Sequence, residues 1–344
     1  MESKAMQGPK DSQKTSTLTT IGKEELMLIV VDSKPIPTLA MAYEEFKAFK
    51  TDLKDTTKKQ YDQSMYQTFK KWHEKLITEI NQDDVLYYHK LLSNRHSMYG
   101  KGEALADRAF RTLRAVLNWS MHRYRNEEGN KVLIVNPVDV LGHLKAWNKR
   151  KPRKTMIKQF QLPTWWRAVG ELRDRSASDW LKFILLTGLR RNEALYLTWD
   201  KVNFGEKTIT IRGTKNGDTH TLPLTDYLFA MLANRYNSRP KRQFGHANPY
   251  VFYSQYTNSR GGALNDRMKC LDDITIYTGI EWHVHDLRRN FAAAAVETDV
   301  SEMILKKLLN HRTSLNHDVT YKHYLGGLDV QTLRDPMQRI TDRL

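Results

Sequence analysis

Residues 187–195 read TGLRRNEAL, and they follow a helical pattern that runs over Ser178–Leu186. Thr187-Gly188 interrupts that helix, because glycine is a poor helix former that is common just past helix ends. A further turn of helix is predicted over Arg190–Leu197. The stretch therefore predicts two consecutive helices separated by a break, with arginines directly after the break.

The next segment has the pattern of a β-hairpin. Thr208–Ile211 and Thr219–Leu222 each alternate polar and apolar residues like strands. Residues 214–218 between them read TKNGD, and Asn-Gly between alternating runs favours a tight hairpin turn. Helices are predicted again from about Tyr227 and over His285–Leu309. The sequence therefore predicts a mainly α fold with one small antiparallel β-sheet (α+β).

The first half of the chain predicts a small helical bundle. Apolar residues recur every three or four residues from Thr56 to Ile80, which is typical of one amphipathic helix. A shorter helix is predicted over Asp83–Leu92 and a third over about Gly102–Arg125. Arginines on the third helix lie away from its apolar stripe, so the bundle has a basic side. Upstream, Leu26–Val31 has the apolar composition of one strand.

The chain is strongly basic, with 55 Lys and Arg against 39 Asp and Glu and a formal net charge of +16. Such an excess favours nucleic acid as a partner, because Lys and Arg release counterions from a phosphate chain. An anionic membrane surface and a basic surface without a partner are the alternatives. With 40% apolar and 10% aromatic residues, the chain is not a disordered basic tail.

Three features exclude other classes of protein. The single cysteine, Cys270, excludes an internal disulfide and a cysteine-based zinc site. The longest apolar runs have six residues, too few to span a bilayer, and no apolar segment follows Met1-Glu2-Ser3-Lys4 as a secretory signal requires. These features predict a soluble protein of a reducing, cytoplasmic compartment.

A length of 344 residues is typical of two domains. Residues 1–35 are predicted to be a flexible basic N-terminal arm, 36–144 a helical domain, 145–158 a basic interdomain linker, and 159–344 a second domain with a C-terminal tail. Because the linker joins two domains, a DNA duplex bound by both domains would pass close to the cationic side chains of the linker. The alternative is that the linker is solvated surface without a DNA contact. The candidate DNA-contacting residues of the linker are Lys149, Arg150, Lys151, Arg153 and Lys154.

Motifs for nucleotide or metal chemistry are missing from the sequence. It contains neither a P-loop, GxxxxGK[ST], nor an HExxH zinc motif, and its histidines have no spacing typical of metal ligands. We therefore expect no cofactor and no metal. Any chemistry on phosphodiesters would depend on side chains alone.

The second domain contains the residue types that such chemistry needs. Two guanidinium groups clamp the non-bridging oxygens of a phosphate, while an acid, a base and a nucleophile move protons and store an intermediate. After TGLRRNEAL and the lysine of TKNGD, the domain presents HDLRRNF at 285–291 and LLNH at 308–311. Two tyrosines, Tyr321 and Tyr324, follow.

In type and order, these segments resemble the catalytic domain of the tyrosine recombinases, specifically the phage-type integrases. The resemblance extends over about residues 36–344, because the helical first domain with its Asn136-Pro137 ending is similar to the family's core DNA-binding domain. It implies that residues 159–344 are the catalytic domain. It also implies that residues 1–35 are either a flexible arm or a shortened arm-binding segment.

The resemblance implies a role for each motif residue. The two arginines would hold the scissile phosphate, the hairpin lysine would protonate the leaving 5′-oxygen, the first histidine would accept a proton, and the second would donate a hydrogen bond to the phosphate. Glu193 would orient the site. Arg191, Arg289 and His283 lie outside the motif frames. The matched catalytic positions are Arg190, Lys215, His285, Arg288, His311 and Tyr324.

The nucleophile has two candidates. Tyr321 is closer than Tyr324 to the family's usual spacing after His311, but Asp318-Val319-Thr320 resembles the DVT that precedes the tyrosine in many members. The stretch from His311 to Thr320 is longer than usual, which accounts for a later tyrosine. We expect Tyr324 to be the nucleophile, with Tyr321 as the alternative.

The resemblance implies a site-specific DNA recombinase, the integrase of a phage or mobile element. It would cut and rejoin double-stranded DNA at attachment-type sites through a 3′-phosphotyrosyl intermediate and a Holliday junction, as a homotetramer. A host DNA-bending protein and a directionality factor are further expected partners, and no membrane is involved. The alternatives are a resolvase, invertase or type IB topoisomerase-like enzyme of the same chemistry, and a non-cutting DNA-binding protein of the same fold.

Overall fold

The computed structural model describes residues 35–97, 100–149, 155–213, 219–239, 248–254, 262–264, 270–311 and 329–344. The chain divides into two compact units, Met1–Lys151 and Pro152–Leu344. The predicted strand at Leu26–Val31 and the hairpin residues 214–218 lie outside the described residues.

The described part of the first unit is a helical bundle around one long helix. Apolar residues of that helix, among them Phe110, Leu113 and Leu117, are fully buried, which agrees with the apolar stripe in its sequence. A short antiparallel ribbon, β1 (His96–Ser97) with β2 (Gly100–Lys101), precedes it. The α-helices described here are α1 (Leu39–Phe49), α2 (Asp55–Asp62), α3 (Gln82–Ser93), α4 (Glu103–Arg123) and α5 (Val140–His143).

The predicted single helix from Thr56 to Ile80 is wrong. Helix α2 ends at Asp62, a π-helical turn follows at Gln63–Thr68, and a 3₁₀ turn covers Lys70–Trp72. Beyond that turn the backbone makes short-range turn bonds and pairs with the start of α1 and the residues before it, since Leu39 N donates to Lys75 O at 2.9 Å and Ile77 N to Pro37 O at 3.1 Å. The apolar spacing therefore reflects burial in an irregular segment, because tertiary contacts outweigh helix periodicity there.

The second unit surrounds helix α7, whose residues Trp180–Leu186 are almost all buried. Asp174 caps α7 by accepting hydrogen bonds from the backbone of Ser176 and Ala177. The helices described in this unit are α6 (Leu162–Gly170), α7 (Arg175–Thr187), α8 (Arg191–Leu195), α9 (Asp226–Asn237), α10 (Cys270–Thr278), α11 (Val284–Glu297), α12 (Glu302–Leu308) and α13 (Arg334–Arg343). Helices α11 and α13 both pack on α7.

A three-stranded antiparallel sheet completes the unit, in the order β3 (Val202–Asn203), β4 (Thr208–Ile211) and β5 (His220–Pro223). Strands β4 and β5 pair with Ile211 opposite His220, as expected for the two arms of the predicted hairpin. Strand β3 was not predicted. The mainly α fold class with one small antiparallel sheet is confirmed.

The helical stretch predicted over His285–Leu309 consists of two helices. Helix α11 ends at Glu297, Asp299 takes a left-handed φ of 55°, and Ser301 caps α12 by accepting a hydrogen bond from Ile304 N. A left-handed residue ends the regular hydrogen-bond ladder, and a capping serine starts a new one. Among the described residues, no helix is long and apolar enough to cross a membrane.

Candidate active site

The end of α7 forms the first part of the site, a turn over residues 187–190 that we call the arginine turn. Gly188 has a φ of 62°, and a Cβ placed there would lie 2.6 Å from Phe291 Cδ1 and 2.8 Å from Leu309 Cδ2. Only glycine fits this left-handed and closely approached position. Arg190 follows at once as the N-cap of α8.

The end of α12 forms the second part, a turn over residues 308–311 that we call the histidine turn. Asn310 N donates to Lys307 O at 3.1 Å and His311 N donates to Lys306 O at 3.0 Å. With Asn310 at a φ of 46°, these two hydrogen bonds make a Schellman motif, which ends the helix and reverses the chain. His311 is thereby placed directly past the helix end.

Arg288 on α11 joins the two turns. Its Nη1 donates to Gly188 O and its Nη2 to Leu309 O, both at 2.6 Å. The residue is 5% exposed, and among the described residues no carboxylate lies within ion-pair distance of it. Burial and then the charge of Arg190 lower the pKa of Arg288 to about 10, with Glu193 opposing. Arg288 remains a cation at neutral pH, facing the negative ends of two helix dipoles.

Arg190 is held mainly by a carboxylate, whereas Arg288 is held by backbone carbonyl groups. Its Nη1 donates to Glu193 Oε1 at 2.9 Å, while its backbone N donates to Glu193 Oε2 at 3.0 Å. One carboxylate thus fixes both the side chain and the backbone of this arginine. A longer contact of 3.4 Å runs from Arg190 Nη2 to Asn310 O, so this arginine also reaches the histidine turn.

His285 and Arg288 lie three residues apart on α11, a spacing that places both on one face of a helix. Burial lowers the pKa of His285, and the charges of Arg289 and Arg288 lower it further. Burial, followed by Arg288, Arg190 and His285, also lowers the pKa of His311. Both shifts favour the neutral imidazole, which can accept a proton at one ring nitrogen and donate a hydrogen bond from the other.

Several residues next to the catalytic candidates have structural partners, including Arg289 and His283, which lie outside the family motifs. Arg289 Nη1 donates to Thr155 O at 2.9 Å and to Asp286 Oδ1 at 3.1 Å. Asn290 Nδ2 donates to Ile157 O at 2.6 Å. His283 caps α11 together with Asp286. Residues next to the catalytic candidates thus fix the start of the second unit to α11.

Of the six candidates, Arg190, Arg288 and His311 meet at the two turns, and His285 on α11 lies near enough for its charge to act on His311. Lys215, Tyr324 and the alternative Tyr321 lie outside the described residues, and their roles stay predictions. Of the linker candidates, Lys149 is described and exposed; Arg150, Lys151, Arg153 and Lys154 lie outside the described residues. In the part of the chain that is described, no group of three or more His, Cys, Asp or Glu is arranged to hold a metal ion.

Sequence reasoning missed His220. This histidine on β5 is 5% exposed, its Nε2 lies 3.0 Å from Leu308 O, and burial lowers its pKa to about 4. The signal was present in the alternation of β5, because His220 shares the buried face of the strand with Leu222.

The sequence model of the phage integrase family matches residues 154–325, which is half of the chain and includes both turns. The fold is that of the tyrosine recombinase class, and the match includes the candidate arginines and histidines of the site. The chain belongs to the phage integrase family, and the predicted family is confirmed.

Two curated relatives give the degree of similarity. The chain is 28% identical over 228 residues to prophage integrase IntF of Escherichia coli K12, a match that covers 63% of this chain and 44% of that protein. It is 29% identical over 152 residues to the tyrosine recombinase XerA of Pyrococcus furiosus, covering 43% of this chain and 51% of that protein. The chain thus spans about half the length of these relatives.

Solved structures share the fold at low sequence identity. The Tn1549 transposon integrase, in complex with circular intermediate DNA, is 15% identical with a TM-score of 0.63, covering 88% of this chain and 99% of that one. A lambda integrase dimer bound to a COC′ core site is 12% identical with a TM-score of 0.60, covering 80% of this chain and 96% of that one. These similarities establish the fold of the chain.

Proposed function

We propose that this protein is a site-specific DNA recombinase, the integrase of a phage or mobile element, that cuts and rejoins double-stranded DNA through a 3′-phosphotyrosyl intermediate. The observation that carries the proposal is the meeting of Arg190 and Arg288 with His285 and His311 at two helix ends. Family membership supports it, as does the DNA that relatives of the same fold hold in their structures.

The two arginines bind the scissile phosphate. Guanidinium groups match the non-bridging phosphate oxygens by bidentate hydrogen bonds, and fixed cations stabilise the charge that grows in the transition state. Arg288 is fixed by neutral carbonyls, so its full charge acts on the phosphate. His311 adds a neutral N–H donor beside the arginines.

Tyr324 is the proposed nucleophile. Its oxygen bonds to phosphorus while the bond from phosphorus to the 5′-oxygen breaks. His285 accepts the phenol proton and Lys215 gives a proton to the 5′-oxygen. Because a phenol has a pKa of about 10, the neighbouring cations are needed to make the phenolate accessible.

The products are a 3′-phosphotyrosyl bond and a free 5′-hydroxyl. One phosphoester replaces another, so attack by a 5′-hydroxyl reseals the strand without ATP or metal. Exchange between two duplexes passes through a Holliday junction on a homotetramer, with the C-terminal tail as the contact between protomers. A host DNA-bending protein and a directionality factor assist at the attachment-type sites.

The basic linker contacts the phosphate backbone. Replacing Lys149, Arg150, Lys151, Arg153 and Lys154 by alanine is expected to weaken DNA binding at every site without changing site preference, because phosphate contacts carry no base information. The dependence of the affinity on salt should become less steep. An unchanged salt dependence in a binding titration would show that the linker is solvated surface and makes no phosphate contacts.

The test of the nucleophile uses a suicide substrate, a nicked duplex from the DNA that flanks the gene, followed by peptide mapping of the covalent adduct. Tyr324→Phe should bind this DNA normally and form no adduct, while the matched control Tyr321→Phe should still cleave. An adduct on Tyr321 would reverse the assignment. Cleavage by the unmodified protein should persist in EDTA without ATP, and a metal requirement would contradict the mechanism.

Plasmid assays separate the alternatives. Recombination between two copies of the flanking DNA is expected on one supercoiled plasmid. Relaxation without recombination would indicate a type IB topoisomerase-like enzyme, and a preference for sites in one fixed orientation would indicate a resolvase or invertase. Binding without any covalent adduct would leave only the non-cutting DNA-binding protein.

A further inference from the structure

Three successive carbonyl groups in the histidine turn each accept a hydrogen bond from a different element. Leu308 O lies 3.0 Å from His220 Nε2 on β5, Leu309 O accepts from Arg288 on α11, and Asn310 O accepts from Arg190 before α8. Two of these donors belong to the proposed phosphate clamp. The third, His220, has no part in the mechanism described above.

The contact of His220 fixes its tautomer. A backbone carbonyl only accepts, so Nε2 carries the proton and donates it to Leu308 O. Both residues are buried, with His220 at 5% exposure and Leu308 at 0%. A buried carbonyl that loses its donor costs free energy, so the bond resists displacement of the turn.

His220 also connects the turn to the sheet. It is the first residue of β5 and pairs with Ile211, the last residue of β4. Residues 212–219 between those strands include Lys215. The base of the segment that carries the lysine is therefore tied to the turn that carries His311.

We propose that His220 is a positioning residue, which holds the histidine turn in place so that His311 stays beside Arg190 and Arg288. This inference rests on the proposed function for its catalytic meaning, and on the contacts of the turn for its geometry. Displacement of a catalytic group by about 1 Å can cost about 100-fold in rate. Loss of the hydrogen bond from His220 to the histidine turn is therefore expected to lower the cleavage rate measurably.

Two substitutions separate the hydrogen bond from the packing. His220→Gln keeps an N–H donor, because glutamine Nε2 and histidine Nε2 are the same number of bonds from Cβ. His220→Leu keeps an apolar side chain of moderate size and removes the donor. Thermal unfolding followed by circular dichroism identifies any loss of stability common to both variants.

The first readout is the pKa of His311 in the DNA-free protein, measured by NMR and assigned through the signal lost in His311→Gln. Burial is the largest cause of the lowered pKa of His311, and among the described residues the charges of Arg288, Arg190, His285 and Lys306 lower it further. In His220→Leu the turn moves from the arginines, so the pKa should rise towards 6.5. In His220→Gln it should stay low.

The second readout is covalent complex formation on the suicide substrate. His220→Leu should cleave about 100-fold more slowly at unchanged DNA affinity, while His220→Gln should regain most of the rate. Equal rates in the two variants, or an unchanged His311 pKa in His220→Leu, would overturn the proposal. If the unmodified protein forms no covalent complex, the proposed function fails, yet the His311 pKa still decides the positioning role.

A third measurement covers the case in which His220→Leu does not fold. Ring ¹⁵N shifts of the unmodified protein should show His220 protonated at Nε2, with a proton that exchanges slowly with water. Protonation at Nδ1 alone would overturn the proposal, because the imidazole would then have no proton to give to Leu308 O.

Discussion

The arginine turn and the histidine turn use the same backbone conformation for different reasons. Each ends a helix with a left-handed residue and leads directly to a proposed catalytic side chain. Gly188 is required by contact, since Phe291 and Leu309 occupy the space of a Cβ. Asn310 carries a Cβ, and its turn is held from outside by His220, Arg288 and Arg190. Packing fixes which residue the arginine turn can have at 188, although Gly188 O also accepts from Arg288, whereas three hydrogen-bond donors hold the histidine turn.

The largest expected effect comes from Gly188→Ala, because it adds steric overlap to a left-handed conformation. We expect the free energy of unfolding to fall by about 2–5 kcal/mol, combining the left-handed penalty with overpacking. Cleavage should be lost as Phe291 and Leu309 are displaced. Urea unfolding measures the change, and a loss well under 1 kcal/mol would show that packing does not determine this turn. Gly129, with a φ of 80° and no atom near its Cβ position, offers a control for the strain alone.

Arg288→Met tests whether one guanidinium joins the two turns. It leaves two carbonyls without their donor, and we expect about 2–3 kcal/mol of lost stability. Cleavage should fall by about 100- to 1,000-fold, as for loss of a transition-state donor. Arg288→Lys is the matched control, since it keeps the charge but its single nitrogen lacks the fork that reaches both Gly188 O and Leu309 O. Lysine restoring the cleavage rate would contradict the bridging role.

The pH dependence of stability tests the donor from β5. The folded pKa of His220 is about 4, below its ordinary 6.5, so the unfolded chain binds the proton more readily and stability falls as pH falls through this range. Between pH 7 and pH 5 this histidine should account for about 2 kcal/mol of the loss. Comparing urea unfolding of the unmodified protein with His220→Gln isolates that part. Equal slopes in both proteins would mean that His220 is not buried as a neutral group.

The smallest effect is expected from Asn310→Gly, which keeps the left-handed turn and removes only a side chain. Glycine adopts this conformation freely, so stability should change by less than about 1 kcal/mol and cleavage should persist. Asn310→Val is the contrasting variant, since a β-branched residue is a poor left-handed residue and should cost about 1–2 kcal/mol. Unfolding experiments on both variants would show whether this turn needs only the conformation.

The sequence predicts the arginine turn better than the histidine turn, and the reason is physical. Gly188 and the motif frames around Arg190 and Arg288 are local signals. The donors that hold residues 308–310 contact main-chain oxygens, and a sequence motif carries no information about main-chain acceptors. The sequence therefore predicted His220 only as part of a strand. The long helix predicted from Thr56 failed for a related reason, because backbone pairing with a distant segment replaces its hydrogen bonds. The tyrosine assignment stays a prediction.

The hydrogen bonds from three side chains to main-chain oxygens of the histidine turn determine how this turn tolerates substitution. Every amino acid presents the same carbonyl group, so a change of side chain at Leu308 or Leu309 alters the local packing but removes no acceptor from His220 or Arg288. These two positions are therefore constrained by packing, as at the contact of Leu309 with the Gly188 position, and not by their hydrogen bonds. A library randomised at these two positions would explore the shape of the site while the arginine and histidine that anchor the turn stay fixed.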